Sequence, residues 1–321
     1  MILSLAFLLG GVLFLYGGAE SLIRGAVMLG RRAGISPIII GLTVVSIGTS
    51  APEFVVSLLA ASRGSPELAV GNVLGSNLAN IGLILGIAAF LQPLEVHGRV
   101  VRREIPWMLG VSFLAVPLLW NLEMGRLEGG ILAGVLLVYL LLLLPAMREE
   151  GVERAVPTPP AVGLDVQEGG LRLLMAPMGM VALGAGGLVL GGQGIVLGAS
   201  DLAARMGVPE LVVGLSVVAV GTSLPELATT VLAAARKEAD LAVGNIVGSN
   251  IFNLTFVLGG TALFYPFQIP ARILAVELPA TLLLSLLLLP LAWMGFNLGR
   301  KEGLLLLAAY AGAWFWILQV G

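Results

Sequence analysis

The chain reads G-T-S-A-P-E at residues 48–53 and G-T-S-L-P-E at residues 221–226. Both stretches belong to a longer internal repeat, in which 41–86 aligns with 214–259 without a gap at a constant offset of 173 residues. About half of the aligned positions are identical. A repeat of this kind indicates that the fold contains two copies of one structural unit.

The composition places the chain in a membrane. It has 321 residues, of which 58% are hydrophobic and 11% are charged, and its mean hydropathy is +1.03. Soluble domains carry about 25% charged residues, so this chain is too apolar to be one. It contains no cysteine, which excludes disulfides and thiolate metal sites. The lipid bilayer is therefore the expected partner, and no charged surface is expected to bind nucleic acid.

Ten apolar segments are long enough to cross a bilayer, which takes about 20 residues in a helix. We predict an all-α membrane protein with ten transmembrane helices. The longest loop between them, 148–171, carries mixed charge with Pro157, Pro159 and Pro160 and is expected to be a flexible linker. The predicted spans are 2–30, 36–62, 67–91, 104–122, 127–147, 172–204, 209–235, 241–267, 273–294 and 303–320.

The basic residues predict how these spans are oriented. If the spans alternate, 12 of the 17 basic residues fall on one side and 4 on the other, while Arg24 lies inside the first span. Because cytoplasmic loops carry the excess of Lys and Arg, the first side is predicted to be cytoplasmic. The linker is then cytoplasmic, and both termini lie outside the cell (inner) membrane.

The motif copies lie on the second and third spans of each half. Five spans separate one copy from the other, and because five is odd the copies run in opposite directions through the membrane. This predicts two inverted five-helix repeats, residues 1–147 and 172–321, joined by the linker 148–171. In transporters, such repeats place the substrate site near the middle of the membrane, in broken helices where the halves meet.

Glu53 and Glu226 each lie in the middle of a predicted span, with apolar residues around them. A charged group in that position costs about 3 kcal/mol or more and is a candidate for function. A structural glutamate paired with an arginine would be the alternative, but no basic residue occupies the middle of the motif helices. Two carboxylates that face each other would repel, and a bound cation removes that repulsion.

The prolines of the motifs predict further ligands. Pro52 and Pro225 have no N–H, so the carbonyls of Gly48 and Gly221 lose their helical hydrogen bonds. Freed carbonyls inside a membrane need new partners. A proline kink for packing alone does not explain why an acid follows in both copies. Loosened carbonyls and hydroxyls within one turn of each break add oxygens, and they belong to Thr49, Ser50, Thr222 and Ser223.

A second duplicated motif, G-N-x-x-G-S-N, occupies residues 71–77 and 244–250. Its glycines have the spacing that lets membrane helices approach closely. Ser76 and Asn80 are four residues apart and share one helix face with Asn72. We expect this polar face to lie against the glutamate-bearing helix and to offer hydroxyl and amide oxygens. Its counterparts in the second copy are Ser249, Asn253 and Asn245.

This oxygen-only donor set predicts a hard cation. Ca²⁺ prefers about six to eight oxygen ligands in a flexible shell, whereas Mg²⁺ demands rigid octahedral geometry. Transition metals would favour imidazole or thiolate, and the only histidine, His97, lies in a predicted cytoplasmic loop. Two glutamates balance one Ca²⁺ or two Na⁺, which is the chemical basis for exchanging one ion for the other.

The duplicated motifs resemble those of the sodium/calcium exchanger family, prokaryotic type, in the calcium:cation antiporter superfamily. The resemblance covers nearly the whole chain and implies antiport of Ca²⁺ and Na⁺ by alternating access, with the first and sixth helices sliding as one gating unit. Glu20 and Asp201 lie in these two glycine-rich spans, and we interpret them as end-of-helix charges rather than gating residues. We expect no enzymatic activity, no cofactor besides the transported ions, and function as a monomer.

The resemblance also assigns ligands by position. It implies that Ca²⁺ binds the two glutamates together with the carbonyls of Thr49 and Thr222. Well-studied members carry an acid at one of the positions of Asn80 and Asn253, which are both asparagine here, so a third negative charge is absent. The flanking Na⁺ sites are expected to use Ser50, Ser223, Ser76, Ser249, Asn80, Asn253 and the carbonyls of Ser46 and Ala219.

Three other functions fit parts of the pattern. A Ca²⁺/H⁺ antiporter would use the same glutamates to carry protons, although relatives of that type usually lack the G-S-N triplet. Broken ligand helices in an inverted repeat disfavour a passive cation channel. The absence of His and Cys from every predicted span disfavours an intramembrane hydrolase.

Overall fold

The computed structural model of the chain describes residues 2–153, 170–206 and 219–320. These residues are almost entirely helical, with four strands of two residues each. The helices are α1 (Ile2–Ala33), α2 (Pro37–Thr49), α3 (Ala51–Ser62), α4 (Pro66–Leu91), α5 (Ile105–Leu119), α6 (Arg126–Glu153), α7 (Gly170–Arg205), α8 (Ala219–Thr222), α9 (Leu224–Ala235), α10 (Ala239–Phe264), α11 (Ile273–Trp293) and α12 (Arg300–Val320).

Seven helices in the described part are long and apolar enough to cross a membrane, and α2 with α3 forms an eighth candidate span that bends by 42°. Two predicted spans are represented by shorter helices. α5 has 15 residues and follows a charged turn that contains Arg102 and Arg103, and α9 has 12 residues. The first part of the predicted span 209–235 lies outside the described residues. The structure therefore supports an all-helical membrane fold with seven or eight apolar spans, and ten spans stay a prediction.

Helices extend into the predicted linker 148–171 from both ends. α6 continues to Glu153, and α7 begins at Gly170. Arginine and glutamate have high helix propensity, so the charged run after the apolar part of α6 continues the helix instead of ending it. Residues 154–169, with the three prolines, lie outside the described residues.

α1 and α7 pack antiparallel along most of their length. Glycines line the contact: a Cβ atom on Gly18 would lie 2.8 Å from the carbonyl oxygen of Gly184, and one on Gly191 would lie 2.6 Å from the backbone nitrogen of Leu15. The backbones can approach this closely only where side chains are absent, as small-residue packing in membranes requires. The seam makes α1 and α7 one structural unit.

α4 and α10 lie at the centre of the bundle. In their apolar stretches 78% and 94% of the residues are buried, against 22% in α6 and 17% in α12. The second motif explains part of this position, because a Cβ atom on Gly244 would lie 2.8 Å from the Ile38 carbonyl oxygen, and one on Gly248 would lie 2.7 Å from that of Leu42. The glycines of α10 thus let it pack directly on α2, the helix that leads into the first G-T-S-A-P-E motif.

Two antiparallel ribbons join loops that are far apart in the chain. β1 (Leu94–Glu95) pairs with β4 (Asn297–Leu298), and β2 (Glu123–Met124) pairs with β3 (Phe267–Gln268). The first ribbon connects the loop before α5 with the loop before α12, and the second connects the loop after α5 with the loop before α11. Because paired loops must lie on the same side of a membrane, the ribbons constrain the topology.

Candidate cation-binding site

Two helices are broken at equivalent positions. α2 and α3 meet at Ser50, with φ −81° and ψ 2°, and α8 and α9 meet at Ser223, with φ −89° and ψ 4°. Both serines lie in the sparsely populated bridge region of backbone space. The cause is Pro52 in one copy and Pro225 in the other, since a residue without an N–H interrupts the helical hydrogen-bond ladder.

The breaks place Glu53 and Glu226 at the starts of helices. Each lies in the first turn of α3 or α9 and exposes none of its surface. The N-terminus of a helix has unsatisfied N–H groups and a partial positive charge, which favours a carboxylate there. Among the described residues, neither carboxylate forms an ion pair. The two charges therefore need neutralisation from outside this part of the chain.

The two breaks cross each other at their serines. The Ser50 hydroxyl donates to the Glu226 carboxylate over 3.3 Å, and the Ser223 hydroxyl donates to the Glu53 carboxylate over 3.5 Å. Each acid is therefore held beside the break of the other half. The structure thus brings together the two acids for which the sequence predicts one shared site.

The threonines of the breaks contact the opposite half. The Thr49 hydroxyl lies 3.2 Å from Asn245 Oδ1, and the Thr222 hydroxyl lies 3.3 Å from Asn72 Oδ1. The two contacts are equivalent in the repeat, because each position differs from its counterpart by 173 residues. α4 therefore holds the second break, and α10 holds the first.

The serines of the second motif reach the same place. Ser76 on α4 lies 3.3 Å from the Ser223 hydroxyl, and Ser249 on α10 lies 3.4 Å from the Thr49 hydroxyl. All four side chains are buried or nearly so. These distances are longer than the usual 2.7–2.8 Å or so between hydroxyl oxygens. Such weak contacts leave the hydroxyl oxygens available to another ligand.

α4 and α10 each change to a π-helical turn beside the site, beginning at Asn80 and Asn253. Such turns are frequent at functional positions. The Asn80 amide donates to Asn250 Oδ1 over 3.1 Å, and the Asn253 amide donates to Asn77 Oδ1 over 3.0 Å. These bonds orient both amides through their nitrogen atoms and leave the oxygen atoms for other partners.

Four buried oxygens of the predicted site have no hydrogen-bond donor in the described part of the chain. They are Glu53 Oε2, Glu226 Oε2, Asn80 Oδ1 and Asn253 Oδ1. A buried polar atom without a partner costs about 1–3 kcal/mol, and a charged one costs more. Because all four atoms are oxygens at matched positions of two repeats, they are candidate ligands for a hard cation.

The Ser46 carbonyl, a predicted ligand before the first break, differs from these four oxygens because it already has hydrogen-bond donors. The Ser46 carbonyl already accepts the Ser50 N–H over 2.9 Å, and it lies 3.4 Å from the Thr49 hydroxyl. It therefore has less capacity left for an ion. Ala219 is the first residue of α8, for which the structure describes the backbone.

Asn72 and Asn245 have a different role from the predicted one of offering amide oxygens to the ion. The Asn72 amide donates to the Glu53 carbonyl over 3.1 Å and to the Ser57 hydroxyl over 2.9 Å, while the Asn245 amide donates to the Thr230 hydroxyl over 3.0 Å. Their oxygens already accept from the threonines of the opposite breaks. Both side chains are therefore braces that position the broken helices.

Sequence reasoning missed Ser57 and Thr230, which hold these braces. Each lies four residues after a motif glutamate and occupies the equivalent position of its repeat. Residues four apart share one face of a helix. A search of the two copies for hydroxyls on the glutamate face would have found them.

A bundle of apolar helices with two broken helices and a buried carboxylate at each break has the architecture of a secondary transporter. The family model described as sodium/calcium exchanger protein matches residues 3–144 and 176–319. The chain belongs to the sodium/calcium exchanger family and is a membrane antiporter for ions.

Relatives match over nearly their full lengths. Inner membrane protein YrbG of Escherichia coli (strain K12) is 39% identical over 97% of this chain and 95% of its own. Sodium/calcium exchanger MaX1 of Methanosarcina acetivorans is 31% identical over 94% of this chain and 95% of its own. The solved structure of the sodium-calcium exchanger NCX_Mj soaked with 10 mM Na⁺ and zero Ca²⁺ has a TM-score of 0.81 and 29% identity, covering 97% of this chain and 98% of that one.

Proposed function

We propose that the chain exchanges Ca²⁺ for Na⁺, and that the two ions occupy in turn the site around Glu53 and Glu226. This proposal rests on the four buried oxygens that have no donor in the described ranges, because a cation would supply the partner missing there. One Ca²⁺ or two Na⁺ neutralise the two carboxylates. If only the loaded protein changes conformation, movement of one ion in either direction requires return of the other.

In this proposal Ca²⁺ lies between the two carboxylates and the carbonyls of Thr49 and Thr222. The hydroxyls of Ser50 and Ser223 support it, because their contacts with the carboxylates and with Ser76 are 3.3–3.5 Å long. Hydrogen bonds of that length are weak and break readily when an ion enters. The Na⁺ sites on either side draw on Ser50, Ser223, Ser76, Ser249, Asn80 and Asn253, with the carbonyls of Ser46 and Ala219.

Ten transmembrane helices in two inverted repeats, 1–147 and 172–321, suit this function. The ribbons support them: an alternating ten-span topology places both loops of the first ribbon on one side and both loops of the second on the other. We place the termini outside and the linker inside, from the distribution of basic residues. The E. coli relative is named an inner membrane protein, which supports that location for this chain. The site lies within one chain, so a monomer suffices.

The α1–α7 unit is placed to control access. An added Cβ atom on Gly48, before the first break, would lie 3.7 Å from Leu22 of α1, and one on Gly192 of α7 would lie 3.2 Å from the Gly221 carbonyl at the second break. The glycine seam holds α1 and α7 together, so the two helices can move as one unit and cover the site from one side at a time.

The test is uptake of radioactive Ca²⁺ into proteoliposomes. An outward Na⁺ gradient at equal pH should drive saturable uptake, and removal of internal Na⁺ should stop it. Uptake driven by a pH gradient in the absence of Na⁺ would overturn the Na⁺ assignment in favour of the second candidate, a Ca²⁺/H⁺ antiporter, which the same two acids would serve when protonated. Uptake that needs no ion on the far side would indicate a channel.

A further inference from the structure

Two acids outside the cation site lie far apart along the α1–α7 unit. Glu20 on α1 and Asp201 on α7 each form an ion pair with the arginine four residues later, Arg24 and Arg205. Asp201 accepts the hydroxyl of Ser4, near the start of α1. Glu20 lies about 16 residues beyond Ser4, which is roughly 24 Å along a helix. That separation is most of the roughly 30 Å thickness of a bilayer's hydrocarbon core.

An arginine follows each glutamate-bearing helix at the equivalent position of the two repeats. Arg63 follows α3 and Arg236 follows α9, at positions 173 residues apart. Their backbones agree closely, with φ −93° and ψ 5° at Arg63 and φ −87° and ψ 4° at Arg236. Because α3 and α9 are predicted to run in opposite directions, the two arginines are expected at opposite edges of the membrane, one near each acid.

Among the described residues, only Glu20 forms an ion pair with the equivalent arginine of a glutamate-bearing helix. Glu20 forms an ion pair with Arg236 in addition to Arg24, and α1 packs against α9. Asp201, by contrast, pairs with Arg205 of its own helix at 2.8 Å. Arg63 is exposed and pairs with no described acid. The helices on this side, α7 and α3, do not pack against each other as α1 and α9 do. The side chain of Glu20 is 15% exposed, whereas that of Asp201 is 45% exposed. Equivalent parts of the two halves are therefore in different states.

We propose that the pairs Glu20–Arg236 and Asp201–Arg63 are alternating latches of the transport cycle. The first holds the α1–α7 unit over the predicted cytoplasmic end of α9. When the unit slides, the Glu20–Arg236 pair separates. Asp201 then forms an ion pair with Arg63, and this pair holds the unit over the outer end of α3. Each acid keeps the arginine of its own helix throughout, so neither carboxylate is left without a partner. The inference rests on the proposed function and revises the interpretation of both acids as end-of-helix charges.

Distances between spin labels on purified protein in nanodiscs test the latches. The chain has no cysteine, so labels attach only where cysteines are introduced. Arg31→Cys with Ala235→Cys reports on the inner end, and Ser62→Cys with Met206→Cys reports on the outer end, all at exposed positions. Glu20→Gln should increase the population with the longer inner and shorter outer distance by roughly threefold to fivefold, the effect of losing an ion pair at the membrane edge. Asp201→Asn should produce the opposite shift.

Arg24→Gln is the control, because it leaves the Glu20–Arg236 pair in place and should not change the inner distance. The charge swap of Glu20→Arg with Arg236→Glu should restore the wild-type populations, and it decides the question if a single variant fails to fold. Asp201→Asn without effect on either distance, or both variants shifting the populations in one direction, would overturn the latches. These distances do not depend on flux, so failure of Na⁺-driven Ca²⁺ uptake would remove the proposed function and leave the result on the latches standing.

Discussion

Glu53→Gln removes one negative charge from the site and keeps the shape of the side chain. Without ions, the fold should lose no stability, because the change also removes the repulsion between Glu53 and Glu226. With Ca²⁺ the effect is large: taking one charge from a buried ionic cluster costs about 3–5 kcal/mol. That energy corresponds to a fall in Ca²⁺ affinity of about two to three and a half orders of magnitude.

Thermal unfolding in detergent, first with a chelator and then with millimolar Ca²⁺, measures both effects. Wild-type protein should unfold at a higher temperature with Ca²⁺, since an ion that binds only the folded state stabilises it in proportion to the logarithm of its concentration. Glu53→Gln should unfold at the same or a higher temperature than wild type in chelator and should gain little from Ca²⁺. Its Na⁺-driven Ca²⁺ uptake in proteoliposomes should fall to background.

Glu104→Gln is the matched control. Glu104 is also fully buried, but it pairs with Arg99 at 3.2 Å and accepts the Tyr139 hydroxyl over 3.0 Å. Its loss should lower the unfolding temperature in chelator and leave the gain from Ca²⁺ intact. If Glu53→Gln exchanges Ca²⁺ at the wild-type rate, or keeps the full stabilisation by Ca²⁺, then Glu53 does not bind the ion.

Gly184→Val should abolish Ca²⁺ uptake while Gly17→Val should not, because a Cβ atom on Gly184 would lie 2.5 Å from a backbone nitrogen of α1, whereas Gly17 is exposed and has no described neighbour within 4 Å. Asn72→Leu should weaken Ca²⁺ binding by about fivefold to fiftyfold, as expected for the loss of its part-buried hydrogen bonds. The exposed His97→Ala should leave the Ca²⁺ dependence of unfolding unchanged, and equal effects of the two variants would contradict the brace. Asn253→Asp should tighten Ca²⁺ binding at about pH 8, because the added carboxylate lies beside the ion, and the gain should shrink near pH 6, because protons compete for that carboxylate. Ca²⁺ titration at both pH values checks this, and unchanged affinity would show that residue 253 does not lie beside bound Ca²⁺.

Much of the site could be predicted because its cause is local. Proline lacks an N–H in any surroundings, so the breaks next to Pro52 and Pro225 follow from the sequence. The cost of a charge in hydrocarbon likewise marks Glu53 and Glu226 as functional without any knowledge of their neighbours. The exact repeat offset then links the two breaks.

Composition, backbone chemistry and spacing were therefore enough to predict the membrane class, the duplicated broken helix and the pair of acids. Which groups meet could be seen only once the helices were packed together. The same residue types could bind an ion or each other. Packing commits Asn72 to bracing a helix and leaves the Asn80 oxygen without a donor among the described residues. It likewise joins Ser50 to the acid of the other half and Glu20 to Arg236. The contacts of Ser50 with Glu226 and of Glu20 with Arg236 join residues more than a hundred positions apart, and their distances depend on how whole helices pack.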